Sequence, residues 1–175
     1  MHIILGLDPG LAHTGFGVLQ VTGNTLKYKH HGVIKTRPSE DHGARLLVLH
    51  EELKLLCEKF APDQAAIEQL FFSRNVKSAM PVAEARGVTV LALAQANIRF
   101  SEYTPGRIKQ AVTGNHRADK RQMISAVKLI LGLKENPSPD HAADALAVAI
   151  CHSNYSYVEK VIADASVKNR AANVE

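Results

Sequence analysis

A short apolar run near the N-terminus ends on an acid. Ile3-Ile4-Leu5-Gly6-Leu7 has the length of a buried strand, and Asp8 follows it, opening the turn Asp8-Pro9-Gly10-Leu11-Ala12-His13-Thr14-Gly15. Pro9 and Gly10 stop the run at once, which leaves the carboxylate at the strand's end. A buried acid is expensive unless it is paired or binds a cation. Any fold open to this chain must therefore bring partners to Asp8.

The segments that follow set the fold class. Thr14 to Val21 alternates glycine or polar residues with apolar ones, and Gly23-Asn24 is a turn signal before a third strand at about Thr25 to Thr36. Three strands joined by short turns predict an antiparallel meander. The period then changes. Leu46, Leu47, Leu49, Leu53, Leu56 and Phe60 recur at helical spacing from about Gly43, and Pro62 closes that helix. Ala65-Ala66-Ile67-Glu68-Gln69 is a short strand candidate, Val76 to Ala96 a second helix and Asn97 to Tyr103 a fifth strand. Pro105 starts a short helix that Gly114 breaks, and Asp119 to Leu131 is another amphipathic one. The last clear helix has Ser138 as its N-cap and Pro139 as its first residue. The expected architecture is α/β, a mixed five-stranded sheet flanked by helices, in one domain over residues 1–155 with a loosely held tail at 156–175.

Composition narrows the classes. At 175 residues with 46% hydrophobic and 22% charged positions, the chain has ample length for a core and is not a disordered type. A net charge of +4 before nine histidines are counted leans toward a polyanionic partner. Cys57 and Cys151 lie in helix-like apolar stretches and read as buried, reduced thiols of a cytoplasmic protein. No stretch resembles a signal peptide or reaches the roughly 18 apolar residues of a membrane span.

Acids recur at three places that a fold can bring together. Asp8 ends the first strand, Glu68 ends the Ala65–Ile67 run, and the last helix opens Asp140-His141-Ala142-Ala143-Asp144. At 100° per residue, His141 and Asp144 project roughly 60° apart and share a face, with Leu146 and Ile150 opposite. Ala142, Ala143 and Ala145 leave space around that polar pair. Each group has a plainer reading beside it. Asp140 and Asp144 can complement a helix macrodipole, Glu68 can be a surface carboxylate, and His141 an exposed helix histidine. Together they suggest hard oxygen ligands for a small divalent cation of the Mg²⁺ type. Two such ions about 4 Å apart activate a water and stabilise the leaving oxygen of a phosphodiester, with Asp8 the natural bridging ligand.

Four motifs in order sharpen this. Asp8-Pro-Gly with Thr14-Gly-x-Gly, Ile67-Glu68-Gln69, Glu84-Ala-Arg-Gly87, and His141-Ala-Ala-Asp-Ala-Leu-Ala-Val-Ala-Ile150 resemble the RuvC family of bacterial crossover-junction endodeoxyribonucleases. The resemblance covers roughly residues 2 to 153. It implies an RNase H-like fold and a homodimer that binds four-way DNA junctions and nicks two strands symmetrically with Mg²⁺ or Mn²⁺. It also implies active-site roles for Asp8, Glu68, His141 and Asp144. A branch-migration motor as partner is suggested by the same resemblance. The third position is often aspartate in that family, and here it is His141, which either ligates metal or positions the attacking water.

Basic residues cluster after the fifth strand: Arg107, Lys109, Arg117, Lys120 and Arg121, around the loop Thr113-Gly114-Asn115-His116-Arg117. Phosphate contact accounts for them better than a solvated helix face. By resemblance, Lys109 and Lys120 approach the DNA backbone near the cut. Of Phe71 and Phe72, one belongs to the core. By resemblance Phe71 is the other, stacking on an unpaired base with Arg74 and Lys77 on the backbone beside it. The second helix is apolar on more than one side, one for the sheet and one for a partner copy.

Two other nucleic-acid readings and one unrelated class stay in view. A related RNA-processing branch of the same fold differs in substrate, not in its acids. A non-catalytic junction-binding module would not need Glu68 and Asp144 as well as Asp8. Actin-like sugar kinases also carry Asp-x-Gly-x-x-x-Thr-Gly, with glycines and threonine cradling ATP phosphates, but that fold needs two such domains.

Overall fold

The structure is a computed structural model and describes residues 1–69 and 76–155, with the side chains of 76–78 left aside. Its sheet has the order β3-β2-β1-β4-β5. β1 (His2–Asp8), β2 (His13–Thr22) and β3 (Thr25–Lys35) form the expected antiparallel meander. β4 (Gln64–Glu68) and β5 (Arg99–Tyr103) add to it in parallel with β1. The parallel register carries Leu7 beside Ile67 and Glu68 beside Tyr103, so the C-terminal ends of β1, β4 and β5 share one edge of the molecule.

Helices cover both faces. α1 (His42–Phe60) and α2 (Val76–Gln95) pack on one face, where Leu5, Leu7, Val18 and Ile67 meet Leu49, Leu53, Ala85 and Leu93. α3 (Pro105–Thr113), α4 (Lys120–Leu131) and α5 (residues 140–155) cover the other, around Ile4, Leu19, Ala66, Val127, Leu146 and Ile150. The caps follow local chemistry. Asp41 accepts from the first backbone amides of α1, and Asp119 forms a reciprocal capping box with Gln122 on α4. Among the described residues no helix is long and apolar enough to cross a membrane. Both cysteines are free and buried, as expected.

Several boundaries shift by a residue or two from the sequence reading, and two of the shifts have a clear physical cause. β5 begins at Arg99 and not Asn97, because Asn97 takes the left-handed conformation (φ 56°) and closes α2. Its amide donates to the Ala94 carbonyl and that of Ile98 to Leu93, the paired bonds of a Schellman end. At α5, the Pro139 carbonyl accepts from the amides of Ala142 and Ala143, which makes Pro139 the cap and Asp140 the first helical residue.

Apart from Asp144, every residue of α5 from Ala142 to Cys151 is buried, the pattern of a helix largely enclosed in a core. Its alanines do not leave open space; they let the helix backbone lie directly on the sheet. A Cβ added at Gly6 would overlap the Ala145 carbonyl, and one at Gly15 would overlap the His141 carbonyl. Only glycine fits at these crossings. Gly15 pairs with Asp8, so the contact sets the first turn of α5 at the end of β1.

Candidate active site

The turn after β1 is held by its own polar groups. Thr14 is buried, and its hydroxyl donates to the Gly10 carbonyl at 2.7 Å while accepting from the Gly10 amide at 3.2 Å. The Thr36 hydroxyl donates to Leu11 O at 2.6 Å and accepts from Arg45 Nε at 2.9 Å. With its hydroxyl engaged by Gly10, Thr14 is built to shape the turn, which counts against a phosphate cradle of the kinase type.

At the end of β1, Asp8, His141 and Asp144 each present a ligand atom within 4.8 Å of the others. His141 Nδ1–H donates to Asp8 Oδ2 at 2.7 Å. A carboxylate only accepts, so this bond places a hydrogen on Nδ1; in the neutral form of the ring the Nε2 lone pair is then available. Lys120, the first residue of α4, reaches across to form an ion pair with Asp144 Oδ2. Glu68 is not in the group of three. It stands at the end of the neighbouring strand and lines a cleft of about 130 Å³ with Lys109, Lys120 and Asp144.

The electrostatics of this edge are those of crowded carboxylates. Burial, followed by the charges of Asp8 and Asp144, pushes the Glu68 carboxyl up to about 7, against the weaker opposing pull of Lys120 and Lys109. Asp8 is also raised, chiefly by burial and then by Asp144, while the His141 hydrogen bond draws it down. Two ammonium groups do not neutralise three carboxylates held this close. The donor set, two or three carboxylate oxygens and an imidazole nitrogen, suits a hard divalent cation. These residues fit such an ion.

Of the substrate residues expected from sequence, Lys109 and Lys120 border the cleft. Arg117 is exposed on the α3–α4 loop, where its amide donates to Asn115 Oδ1 at 2.9 Å. Phe71 and Arg74 lie outside the described residues; Lys77 falls in α2, but its side chain is outside them too. The Glu84-Ala-Arg-Gly87 motif has a structural use: Glu84 pairs with His42 of α1 at 2.8 Å, and Arg86 with Glu102 of β5. One residue escaped sequence reasoning. His13 stacks on His141, with ring centroids 5.7 Å apart and planes 8° from parallel. Its only signal was its place in the turn after Asp8.

A β3-β2-β1-β4-β5 sheet with helices on both faces and carboxylates at the tips of β1, β4 and the last helix defines the RNase H-like nuclease class. The family model described as "Crossover junction endodeoxyribonuclease RuvC" matches residues 4–152, and the chain belongs to this family. A RuvC of Treponema denticola is 51% identical over 158 residues, covering 90% of this chain and 89% of its own. One of Pseudothermotoga lettingae is 49% identical over 150 residues, 86% of this chain and 93% of its own. The solved Thermus thermophilus RuvC in complex with Holliday junction substrate superposes with a TM-score of 0.87 at 36% identity, covering 91% of this chain and 97% of that one.

Proposed function

We propose that this chain is a structure-specific endonuclease that resolves four-way DNA junctions by nicking two strands symmetrically, in recombination and repair. The observation that carries the reading is the convergence of Asp8, His141 and Asp144, with Glu68 beside them, in a chain of this family. Asp8, Glu68, His141 and Asp144 would hold Mg²⁺ or Mn²⁺, two ions per site. Such ions would supply a water of lowered pKa and neutralise the leaving oxygen of the scissile phosphate.

The chain's own groups do the rest. His141 donates from Nδ1 to Asp8 and would offer Nε2 to metal or water. Lys120 neutralises Asp144 in the free protein and is long enough to exchange that partner for a phosphate oxygen. Lys109 lines the same cleft, and Arg117 extends the basic surface along the loop. Phe71, Arg74 and Lys77 would contact the junction centre, stacking an unpaired base and touching the backbone beside it.

A homodimer places two such sites on strands of like polarity. Met80 and Leu91 of α2 are both exposed, and at 100° per residue they lie about 20° apart, opposite the buried Ala85, Ala92 and Leu93. That stripe suits a second copy. A branch-migration motor is a further partner by family, in the cytoplasm where chromosomal DNA is worked on. A binding-only module is disfavoured by Glu68, since crowding a third carboxylate against Asp8 and Asp144 brings only cost unless cations are held.

The test is incubation with a synthetic four-way junction and with linear duplex, with and without Mg²⁺. Paired symmetric nicks on the junction alone support the reading. Equal cleavage of the duplex, or of an RNA–DNA hybrid in preference, overturns it in favour of another nuclease branch. Junction binding without metal-dependent cleavage overturns it in favour of a binding module.

A further inference from the structure

We propose that His13 is a positioning residue for His141, setting the plane of its imidazole while Asp8 selects which edge faces the acids. The inference rests on the site reading above and adds a residue to it.

The backbone brings the two side chains together. Gly15 pairs with Asp8 and presses against the His141 carbonyl. Side chains alternate along a strand, so His13, two residues earlier on β2, projects to the same face as Gly15. Its ring therefore lies over the first turn of α5, where it meets the ring of His141.

The geometry shows why a stack is useful there. The His141 side chain is 48% exposed, so packing alone does not fix it. Rotation of an imidazole about its outer torsion is broad, without the three sharp wells of aliphatic bonds. The 2.7 Å bond to Asp8 anchors one nitrogen but leaves the ring free to swing about that anchor. A second ring, offset and within 8° of parallel, removes that freedom. The plane comes from His13 and the edge from Asp8, and the two together leave one orientation.

His13 is outside the group of three that converge as ligands, and it meets His141 face to face. Its contribution is then the aromatic surface, and any flat ring of similar size should supply it.

His13→Ala, His13→Phe and His13→Gln separate these roles. In the metal-free protein, long-range ¹H–¹⁵N spectra of the histidine rings report the His141 ring directly. His141 is expected to give one sharp tautomeric pattern in wild type and His13→Phe, and exchange-broadened signals in His13→Ala and His13→Gln. Mn²⁺ titration followed by electron paramagnetic resonance is expected to show roughly tenfold weaker binding for His13→Ala and His13→Gln, at the low end for loss of a residue that orients a ligand. His13→Phe is expected to stay within about twofold of wild type on the same scale. The inference is overturned if His13→Ala leaves both the ring signals and the Mn²⁺ affinity unchanged. It is also overturned if His13→Phe is as impaired as His13→Ala, since the imidazole's polarity would then be what matters. If wild type binds no Mn²⁺, the site reading fails, and the metal-free spectra still decide the role of His13.

Discussion

Lys120 Nζ and Asp144 Oδ2 form an ion pair that joins the first turn of α4 to α5 at the edge of the acidic cluster. The lysine occupies a carboxylate that a cation would need, so ammonium and metal compete for the same oxygen. Lys120 is 43% exposed, and exposed pairs contribute about 0.2–1 kcal/mol. Lys120→Gln should accordingly tighten Mn²⁺ binding by about 1.4- to fivefold. It should also weaken junction binding and lower the salt slope of that binding by about 1, as loss of one phosphate contact does. Isothermal titration with Mn²⁺ and junction binding from 50 to 200 mM salt check both. A weakening of both at unchanged salt slope would point to misfolding.

Glu68 makes the metal-free protein sensitive to pH. Its carboxyl is raised from an ordinary value of 4.5 to about 7, so the folded chain holds this proton more tightly than the unfolded chain does. The contribution favours folding fully below about pH 4.5 and is lost as pH rises through 7. The difference corresponds to about 3 kcal/mol at most, with Asp8 adding in the same direction. Urea unfolding of wild type minus that of Glu68→Gln should fall across this window. Mg²⁺ should stabilise wild type more at pH 8 than at pH 5.5, because ligation requires the ionised carboxylate. Parallel curves for the two proteins would remove Glu68 from the account.

Gly15→Ala should disable the site without touching a chemical group. The new methyl would displace the first turn of α5 and carry His141 and Asp144 away from Asp8. Overpacking of this kind costs about 1–3 kcal/mol. Chemical denaturation should register that loss, and nicking should fall by at least about 100-fold, the cost of misplacing reacting groups by about 1 Å. Near-normal nicking would mean that α5 is not held where Gly15 puts it.

As a ligand of the cation, His141 would bias the metal preference. An imidazole in place of a carboxylate removes one negative charge and suits Mn²⁺ better than Mg²⁺. His141→Asp should lower the ratio of Mn²⁺- to Mg²⁺-supported nicking on a four-way junction. An unchanged ratio would assign His141 to positioning water.

The legible and illegible parts of this chain divide by distance in sequence. The meander, the β4 and β5 strands and the helical faces carry their signals within a dozen residues, and the structure returns them with small boundary shifts; the parallel pairing of β4 and β5 joins distant segments and had no local signal. Asn97 was read as strand because its role as a left-handed helix end depends on the Ala94 and Leu93 carbonyls. Asp8 and Asp144 stood out because an acid in an apolar segment is conspicuous wherever it occurs, and His141 through the helix face it shares with Asp144; the structure brings the three together. The Lys120–Asp144 pair and the His13–His141 stack were not legible, since lysine and histidine are ordinary in exposed turns and helix starts. Gly6 read as part of an apolar run and Gly15 as strand alternation; their steric meaning appears only when a helix from the far end of the chain lies across them.

That crossing also governs when the chain becomes chemically competent. The acids belong to segments at residues 8, 68 and 141–144, and α5 must be seated on the β1–β2 ribbon before they meet. A chain still being synthesised holds Asp8 and Glu68 before it holds His141 and Asp144. Chains that stop short of α5 therefore cannot assemble this cluster.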